Sequence, residues 1–275
     1  MPVLIFGCCV SREVLMGSGG DGPGKITERL RWFQESGFDF VEPGVVWLQA
    51  LQRGEFLALA EAVEKSGVLV HACNTFIPRE LSIVGPDRDL DRLKEYVKRS
   101  LDRVKALGCR YVVFGSGGAR QFPAGYPAER AWQELKEFCR VAADEAGKRE
   151  IAIVLEPLRY QECNVLNAVA TGYLFVELVA HPHFLLLADS YHMEEIGEPV
   201  GVLRHVYPAL RHVHTADTAR KHPGAGEYDH VALLRTLREV GYDGGVSVEC
   251  HWQDFRRDAP QAASHLRRAW REAQG

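Results

Sequence analysis

Apolar runs and amphipathic segments alternate along the chain and predict strands and helices in regular succession. Short runs rich in Val, Ile, Leu and Phe, bounded by glycine, proline or polar residues, indicate strands buried on both faces of a parallel sheet. These predicted strands cover residues 3–8, 38–42, 68–73, 110–114, 151–156, 184–189, 210–214 and 246–249. The segments between them carry apolar residues at helical spacing, as in Leu93, Val97 and Leu101, and several end at a glycine such as Gly67.

Eight strand–helix units in 275 residues predict a (β/α)8 TIM barrel, a fold of roughly 250 residues. No linker or low-complexity stretch interrupts the succession, so we predict one domain over residues 1–275. The fifth helix is expected at about 164–180. The stretch 11–25 contains SGGDGPG but neither glycine pattern of phosphate-binding loops, so we predict a surface loop there.

Four consecutive predicted strands end on groups that bind metals, namely Glu156, Asp189, His214 and Glu249. Parallel strands bring their last residues to one edge of the sheet, where α/β folds place their chemistry. An open doubly wound sheet would concentrate that chemistry near one switch point, whereas a barrel aligns four successive strand ends. The spacing therefore favours the barrel and predicts that the four side chains converge.

Three carboxylates and one imidazole form an oxygen-rich ligand set. Such a set suits Mn²⁺, Mg²⁺ or Co²⁺ better than a metal that prefers thiolates. Taken singly, each residue could equally be a polar strand end that accepts hydrogen bonds. Their occurrence in series favours a metal site. His212 precedes His214 by two positions and is expected one layer deeper, as a hydrogen-bonded core histidine.

Composition narrows the possible partners and the compartment. A net charge of −4 and a pI near 6.3 give no reason to expect nucleic acid or an anionic membrane as partner. We find no run of 18 apolar residues, and the N-terminal MPVLIFGCCVS lacks the basic region of a signal peptide. The seven cysteines form no CxxC pair, which suits the reducing cytoplasm.

The residues around the four strand ends resemble a known family. The motifs are Glu156-Pro-Leu-Arg with Glu162, Asp189-Ser-Tyr-His192, His212-Val-His214 continuing to Arg220, and Glu249 in VSVECHW. Together they are similar to the xylose-isomerase-like barrel superfamily. Within it, they resemble sugar (phosphate) isomerases and epimerases, and above all the ketohexose 3-epimerases such as tagatose and psicose epimerases.

The resemblance implies one divalent metal held by Glu156, Asp189, His214 and Glu249, with Mn²⁺ preferred and Mg²⁺, Co²⁺ or Zn²⁺ as alternatives. It implies that Glu156 and Glu249 also act as acid and base on opposite faces of a sugar. Epimerisation beside a ketone needs removal of a C–H proton to give a cis-enediolate, which a Lewis-acidic metal stabilises. A carboxylate on each face then lets one group take the proton and the other return it.

The same resemblance implies that Glu162, His192 and Arg220 hold the oxygen atoms of a small sugar or sugar-like substrate. His71, on the third strand, is a further candidate for substrate contact. Family members often form dimers or tetramers, so a homodimer or homotetramer is expected. Arg120, in the GSGGAR loop, is expected either to meet a substrate phosphate or to brace the loop.

The resemblance to this superfamily leaves three alternative functions. A dehydratase or C–O lyase, similar to inosose or dehydroshikimate dehydratase, would begin with the same proton abstraction. Abasic-site endonucleases need a histidine after the fourth strand and an Asp-x-His after the seventh. Here Phe114-Gly115-Ser116 occupies the first position, and Asp229 and His230 are adjacent. A sugar-binding barrel without catalysis is the third alternative, against which the retention of Glu156 and Glu249 argues.

Overall fold

A computed structural model describes residues 4–17 and 21–275 of the chain. Nine strand segments occupy eight strand positions. The strands are β1 (Ile5–Val10), β2 (Phe40–Pro43), β3 (Leu69–Val70 and Ala72–Cys73), β4 (Tyr111–Phe114), β5 (Ala152–Leu155), β6 (Phe184–Asp189), β7 (Leu210–Thr215) and β8 (Gly245–Val248). We count β3 as one strand because only His71 separates its two segments.

All strand pairings are parallel and connect the strands into a ring. β1 pairs with β2 on one side and β8 on the other, and each later strand pairs with its sequence neighbour. The first segment of β3 pairs with β2 and the second with β4. The interruption at His71 therefore separates two halves of a single barrel strand, and the predicted TIM barrel is confirmed.

Helices surround the ring and follow the strands. They are α1 (Arg12–Met16), α2 (Pro23–Glu35), α3 (Val45–Ala50), α4 (Arg53–Ser66), α5 (Leu90–Ala106), α6 (Gly117–Arg120), α7 (Ala128–Gly147), α8 (Val169–Val179), α9 (Ser190–Glu195), α10 (Leu203–Val206), α11 (His230–Glu239) and α12 (Phe255–Glu272), with two short 3₁₀ turns at Val200–Val202 and Thr218–Arg220. The predicted apolar stripe of α5 is buried at Leu93, Val97 and Leu101. As expected, α4 ends at Gly67, whose φ of 70° is left-handed.

Several predicted boundaries were wrong. The expected loop at 11–25 contains α1, capped by the side chain of Ser11, and the start of α2 at Pro23. Proline is favoured at a helix's first position, because its missing N–H would have no partner there. The predicted fifth helix begins only at Val169. The first predicted strand includes Val3, and the predicted loop includes positions 18–20, all outside the described residues.

The inside of the barrel has a mostly apolar lower layer, which also contains His212, and a polar upper layer. Ala72, Val113, Val154 and Leu187 are fully buried and form a cluster separate from the core between the sheet and the helices. Val154 and Leu187 precede Glu156 and Asp189 by two positions, so the polar side chains lie one layer nearer the strand ends. Within residues 4–17 and 21–275, every helix is too short or too polar to cross a bilayer.

Candidate metal and substrate site

The four predicted ligands converge at the C-terminal ends of β5 to β8. Asp189 is the last residue of β6 and His214 the fifth of six in β7, whereas Glu156 and Glu249 immediately follow β5 and β8. Each residue offers one ligand atom, and these four atoms lie within 4.8 Å of one another. The strands thus hold three carboxylates and one imidazole at ligand distance.

Hydrogen bonds on both sides orient the His214 ring. Its Nδ1 faces the cluster, 3.1 Å from Glu156 Oε1 and 3.6 Å from Glu249 Oε2. Its Nε2 lies 2.8 Å from Oε1 of Glu42, a fully buried residue of β2. A histidine that binds a metal commonly donates its second ring N–H to a carboxylate in this way.

Glu42 bridges two histidines of β7. Its Oε2 lies 2.8 Å from Nε2 of His212, which is fully buried as expected for a core histidine. Although burial raises it, the neighbouring His214 and His212 hold the pKa of Glu42 well below its ordinary value. Glu42 is therefore an ionised acceptor, and both histidines donate to it from Nε2.

The cluster has the features of a site for a hard divalent cation. Asp189 Oδ1 accepts a hydrogen bond from the backbone N–H of Tyr191 at 2.8 Å. Its Oδ2 is buried and has no hydrogen-bond partner within the described chain. A buried carboxylate oxygen without a donor is destabilising unless something else pairs with it. A cation between Asp189, Glu156, His214 and Glu249 would supply that partner.

The protonation properties of the two glutamates differ. Burial raises the pKa of Glu156, and the contact with His214 only partly offsets this effect. Burial acts on Glu249 too, but the hydrogen bond and charge of His214, followed by the charge of Arg220, lower the pKa of Glu249 to about 2. The site thus contains one carboxyl that binds a proton readily and one that is kept ionised.

A cavity of about 220 Å³ opens above the cluster. It is lined by Asn74, Thr75, Gly115, Ser116, Gly117 and Leu158 together with the predicted Glu156, Glu162, His192, Arg220 and Glu249. Thr75 (φ 50°) and Ser116 (φ 40°) have left-handed backbones, which non-glycine residues rarely adopt. Such strain is typical of binding and catalytic sites, and the volume is suited to a small molecule.

Arg220 connects two acidic groups of the cavity. Its Nη1 lies 3.1 Å from Glu162 Oε1 and its Nη2 lies 2.7 Å from Glu249 Oε2. The guanidinium carbon also lies 5.1 Å from the centre of the Tyr191 ring. Arg220 therefore orients Glu249 and places a cation in an otherwise acidic cavity.

The loop after β7 holds Arg220 in place. Ala219 (φ 58°) and Arg220 (φ 56°) are both left-handed. The buried carboxylate of Asp217 accepts backbone hydrogen bonds from Thr218, Gly224 and Tyr228 at 2.8–2.9 Å. These bonds tie both ends of the loop to one side chain and stabilise the strained backbone.

The structure also brings the predicted Glu162 and His192 to the cavity. Glu162 accepts a hydrogen bond from Arg159 Nε at 2.9 Å in addition to its contact with Arg220. His192 follows β6, and its Nε2 lies 3.6 Å from Asp189 Oδ2. His192 is buried, yet it forms part of the cavity wall.

His71 is not brought to the cavity. Its ring lies 5.7 Å from that of His212 and 5.0 Å from that of Phe40. It is level with Gly245, which pairs with His212 and not with His214. The side chain thus occupies the layer below the ligand cluster, and burial lowers its pKa to about 3.

Sequence reasoning did not assign two residues that organise the site. Glu42 ends a predicted strand on a carboxylate, the same signal carried by Glu156, which places it inside the barrel but does not give its role. Asp217 lies in the loop after β7, between Ala216 and Thr218, and no periodic pattern indicates its role. An aspartate followed by glycines at positions 224 and 226 is, however, typical of a side chain that caps a loop.

Comparison with known proteins places this geometry in context. The model of the family described as xylose isomerase-like TIM barrel matches residues 30–273. L-ribulose 3-epimerase from Mesorhizobium japonicum is 25% identical over 236 residues, covering 84% of this chain and 77% of that protein. 3-Dehydro-D-guloside 4-epimerase from Escherichia coli is 25% identical over 256 residues, covering 90% and 94%.

A solved structure shows the same fold. The crystal structure of D-psicose 3-epimerase from Clostridium cellulolyticum, determined with D-tagatose, superposes with a TM-score of 0.81 at 21% identity. The superposition covers 97% of this chain and 99% of that chain.

Proposed function

The chain belongs to the xylose isomerase-like TIM barrel family, and on this premise we propose that it is a divalent-metal-dependent sugar epimerase or isomerase. The observation that carries the proposal is the convergence of Glu156, Asp189, His214 and Glu249 within 4.8 Å below a small cavity. The relatives at 25% identity are named as epimerases of ketose or keto-sugar substrates, which supports the same class of reaction here.

We assign one divalent ion, Mn²⁺ in preference to Mg²⁺, Co²⁺ or Zn²⁺, to Glu156, Asp189, His214 and Glu249. When bound, such an ion supplies Lewis acidity that stabilises negative charge on substrate oxygens, an effect of several kcal/mol. The ligand set supports this assignment, since three carboxylates and one imidazole suit a hard cation.

The chain's own side chains perform the proton transfers in this proposal. One of Glu156 and Glu249 removes the proton from the carbon beside the ketose carbonyl, which leaves a cis-enediolate. The other donates a proton to the opposite face of that carbon and inverts its configuration. The two carboxyls exchange their protonation states over the reaction, so the sugar neither gains nor loses atoms.

Glu162, His192 and Arg220 are proposed to hold the substrate's oxygen atoms, because all three line the cavity. The guanidinium of Arg220 already contacts Glu249, so it keeps that carboxylate directed at the reacting carbon. His71 is left out of this set because it lies in the layer below. A cytoplasmic location and a homodimeric or homotetrameric assembly stay predictions from the sequence.

Deuterium incorporation tests the proposal directly. The Mn²⁺-loaded protein is incubated with ketohexoses in D₂O, and the sugars are analysed by NMR and mass spectrometry. We expect deuterium at C3 and the C3 epimer, with no loss of water. Appearance of an enone absorbance would replace the epimerase with the dehydratase. Absence of both exchange and elimination across a panel of sugars and sugar phosphates would favour a binding protein.

A further inference from the structure

Arg120 is a buried arginine whose role the proposed reaction does not explain. It lies at the end of α6, and its side chain is fully buried. Nη2 donates to the main-chain oxygen of Glu156 at 2.8 Å. Nε and Nη1 have no hydrogen-bond partner within the described chain. The guanidinium is therefore not bonded to any carboxylate there.

Fold stability does not account for an arginine at this position. Its carbon lies 5.6 Å from the centre of the Phe114 ring, a favourable cation–π contact. However, a buried charge without an ionic partner is generally destabilising, and two guanidinium nitrogens without acceptors add to the penalty. An apolar side chain of similar length would fill the same space without this penalty. The one hydrogen bond that the guanidinium makes in the described chain, to the main-chain oxygen of Glu156, is the contact that sets it apart from an apolar side chain.

The main chain of Glu156 is held on both sides by the segment 114–120. Its N–H donates to the Phe114 carbonyl at 3.2 Å, and its carbonyl accepts from Arg120. The next residue, Pro157, has no N–H with which to continue the strand's hydrogen bonds. A Cβ on Gly115 would lie 2.3 Å from Glu156 Oε2, so the same segment also touches the carboxylate.

We propose that Arg120 is a positioning residue that fixes the direction of the Glu156 carboxylate. By holding the Glu156 carbonyl just beyond the end of β5, it prevents rotation of the peptide unit that precedes Pro157. The guanidinium is not part of the cavity wall, so it braces the loop and does not meet a substrate phosphate. An effect of Arg120 on turnover rests on the proposed function, whereas its effect on the position of Glu156 does not.

Metal affinity tests the placement without any substrate. Free Mn²⁺ in titrations of the metal-free protein is measured from its EPR signal, which weakens on binding. In Arg120→Met we expect the dissociation constant to rise by about 10-fold, the lower end of the effect of losing a group that orients a ligand. Arg120→Lys keeps a donor and is expected within about 3-fold of wild type. Arg103→Met is the control, because Arg103 also donates to main-chain carbonyls, those of Leu48 and Leu51, but away from the site.

Kinetics and crystallography complete the test. We expect kcat of Arg120→Met to fall about 10- to 100-fold with KM within about 3-fold, and Arg120→Lys to recover most of that loss. A folded Arg120→Met with wild-type Mn²⁺ affinity and kcat would overturn the proposal. If Arg120→Met does not fold, a crystal structure of Arg120→Lys provides the test. A Glu156 carbonyl that no longer accepts a hydrogen bond from residue 120, together with unchanged Mn²⁺ affinity, would also overturn the proposal.

The two proposals fail in different ways. A wild-type protein that neither binds Mn²⁺ nor exchanges the C3 proton would remove the proposed function. In that case crystal structures still test Arg120, because Glu156 should be displaced in Arg120→Met and unmoved in Arg103→Met. An unmoved Glu156 in Arg120→Met would refute the positioning role by itself.

Discussion

Replacing Glu42 by glutamine would show whether this buried carboxylate prepares His214 for metal binding. Glu42 accepts from Nε2 of both His212 and His214 at 2.8 Å, so Nδ1 of His214 is left facing Glu156 and Glu249. A glutamine has nearly the same shape but only one acceptor oxygen. Its NH₂ group must face one of the two histidines. If it faces His214, that ring keeps its proton on Nδ1, the atom proposed to bind the metal.

The expected effects follow from the strengths of these bonds. A hydrogen bond to a charged group contributes about 1.5–3 kcal/mol and a neutral one about 0.5–1.5 kcal/mol. Two weakened bonds therefore lower the free energy of unfolding by about 2 kcal/mol. At about 2.1 cal/mol/K of unfolding entropy per residue, a chain of 275 residues loses roughly 3–4 °C in Tm. Loss of an orienting partner weakens metal binding about 10- to 100-fold.

Thermal unfolding and Mn²⁺ titration separate the two effects when a matched control is included. Glu134 of α7 is also largely buried and accepts hydrogen bonds from Gly85, Tyr126 and Arg130, away from the ligand cluster. Glu134→Gln should lower Tm by a similar amount and leave Mn²⁺ affinity unchanged. If Glu42→Gln behaves like Glu134→Gln, with wild-type affinity, then Glu42 contributes only to stability and the reasoning about His214 is refuted.

Three further outcomes are expected. Glu249→Gln should lower epimerase turnover by about 10²–10⁴-fold with an unchanged circular dichroism spectrum, and wild-type rates would exclude Glu249 from the mechanism. Gly115→Ala should lower kcat at least 10-fold, because its Cβ would lie 2.3 Å from Glu156 Oε2. Gly54→Ala, with no atom within 4 Å of the added Cβ, should keep full activity, and equal rates for both variants would contradict the close packing. Although burial lowers it, the Glu42 carboxylate raises the pKa of His214 well above its ordinary value. Metal binding at Nδ1 therefore releases a proton, and apparent Mn²⁺ affinity should rise about tenfold per pH unit between pH 6 and 8; affinity independent of pH would remove His214 from the ligands.

The barrel and the meeting of its strand ends were accessible from the sequence because both depend on local periodicity. Buried parallel strands appear as apolar runs, and their last residues necessarily meet at one edge of the ring. The same local pattern predicts that Glu156, Asp189, His214 and Glu249 meet. The structure shows the same four side chains at ligand distance.

The depth of a side chain within the barrel could not be predicted from the sequence in the same way. The sequence places His71 on the third strand as a candidate for the pocket wall, but its height depends on how neighbouring strands are staggered. That stagger places His71 level with Gly245 and His212, below the cavity. Pairings between distant positions, such as Glu42 with His212, have the same origin. The positions of Arg120 and Asp217 could not be predicted from periodicity, because each residue lies in an irregular segment whose conformation has no repeating pattern.

The closed ring also connects the proposed metal site to the completion of folding. Glu42 and His214 are 172 positions apart and touch only when the first and last parts of the ring have joined. A fragment that carries β5 to β8 without Glu42 should thus bind Mn²⁺ about 10- to 100-fold more weakly than the full chain. Adding a fragment that carries β1 to β4 should restore tight binding, and the rate of that recovery would measure the final closure of the sheet.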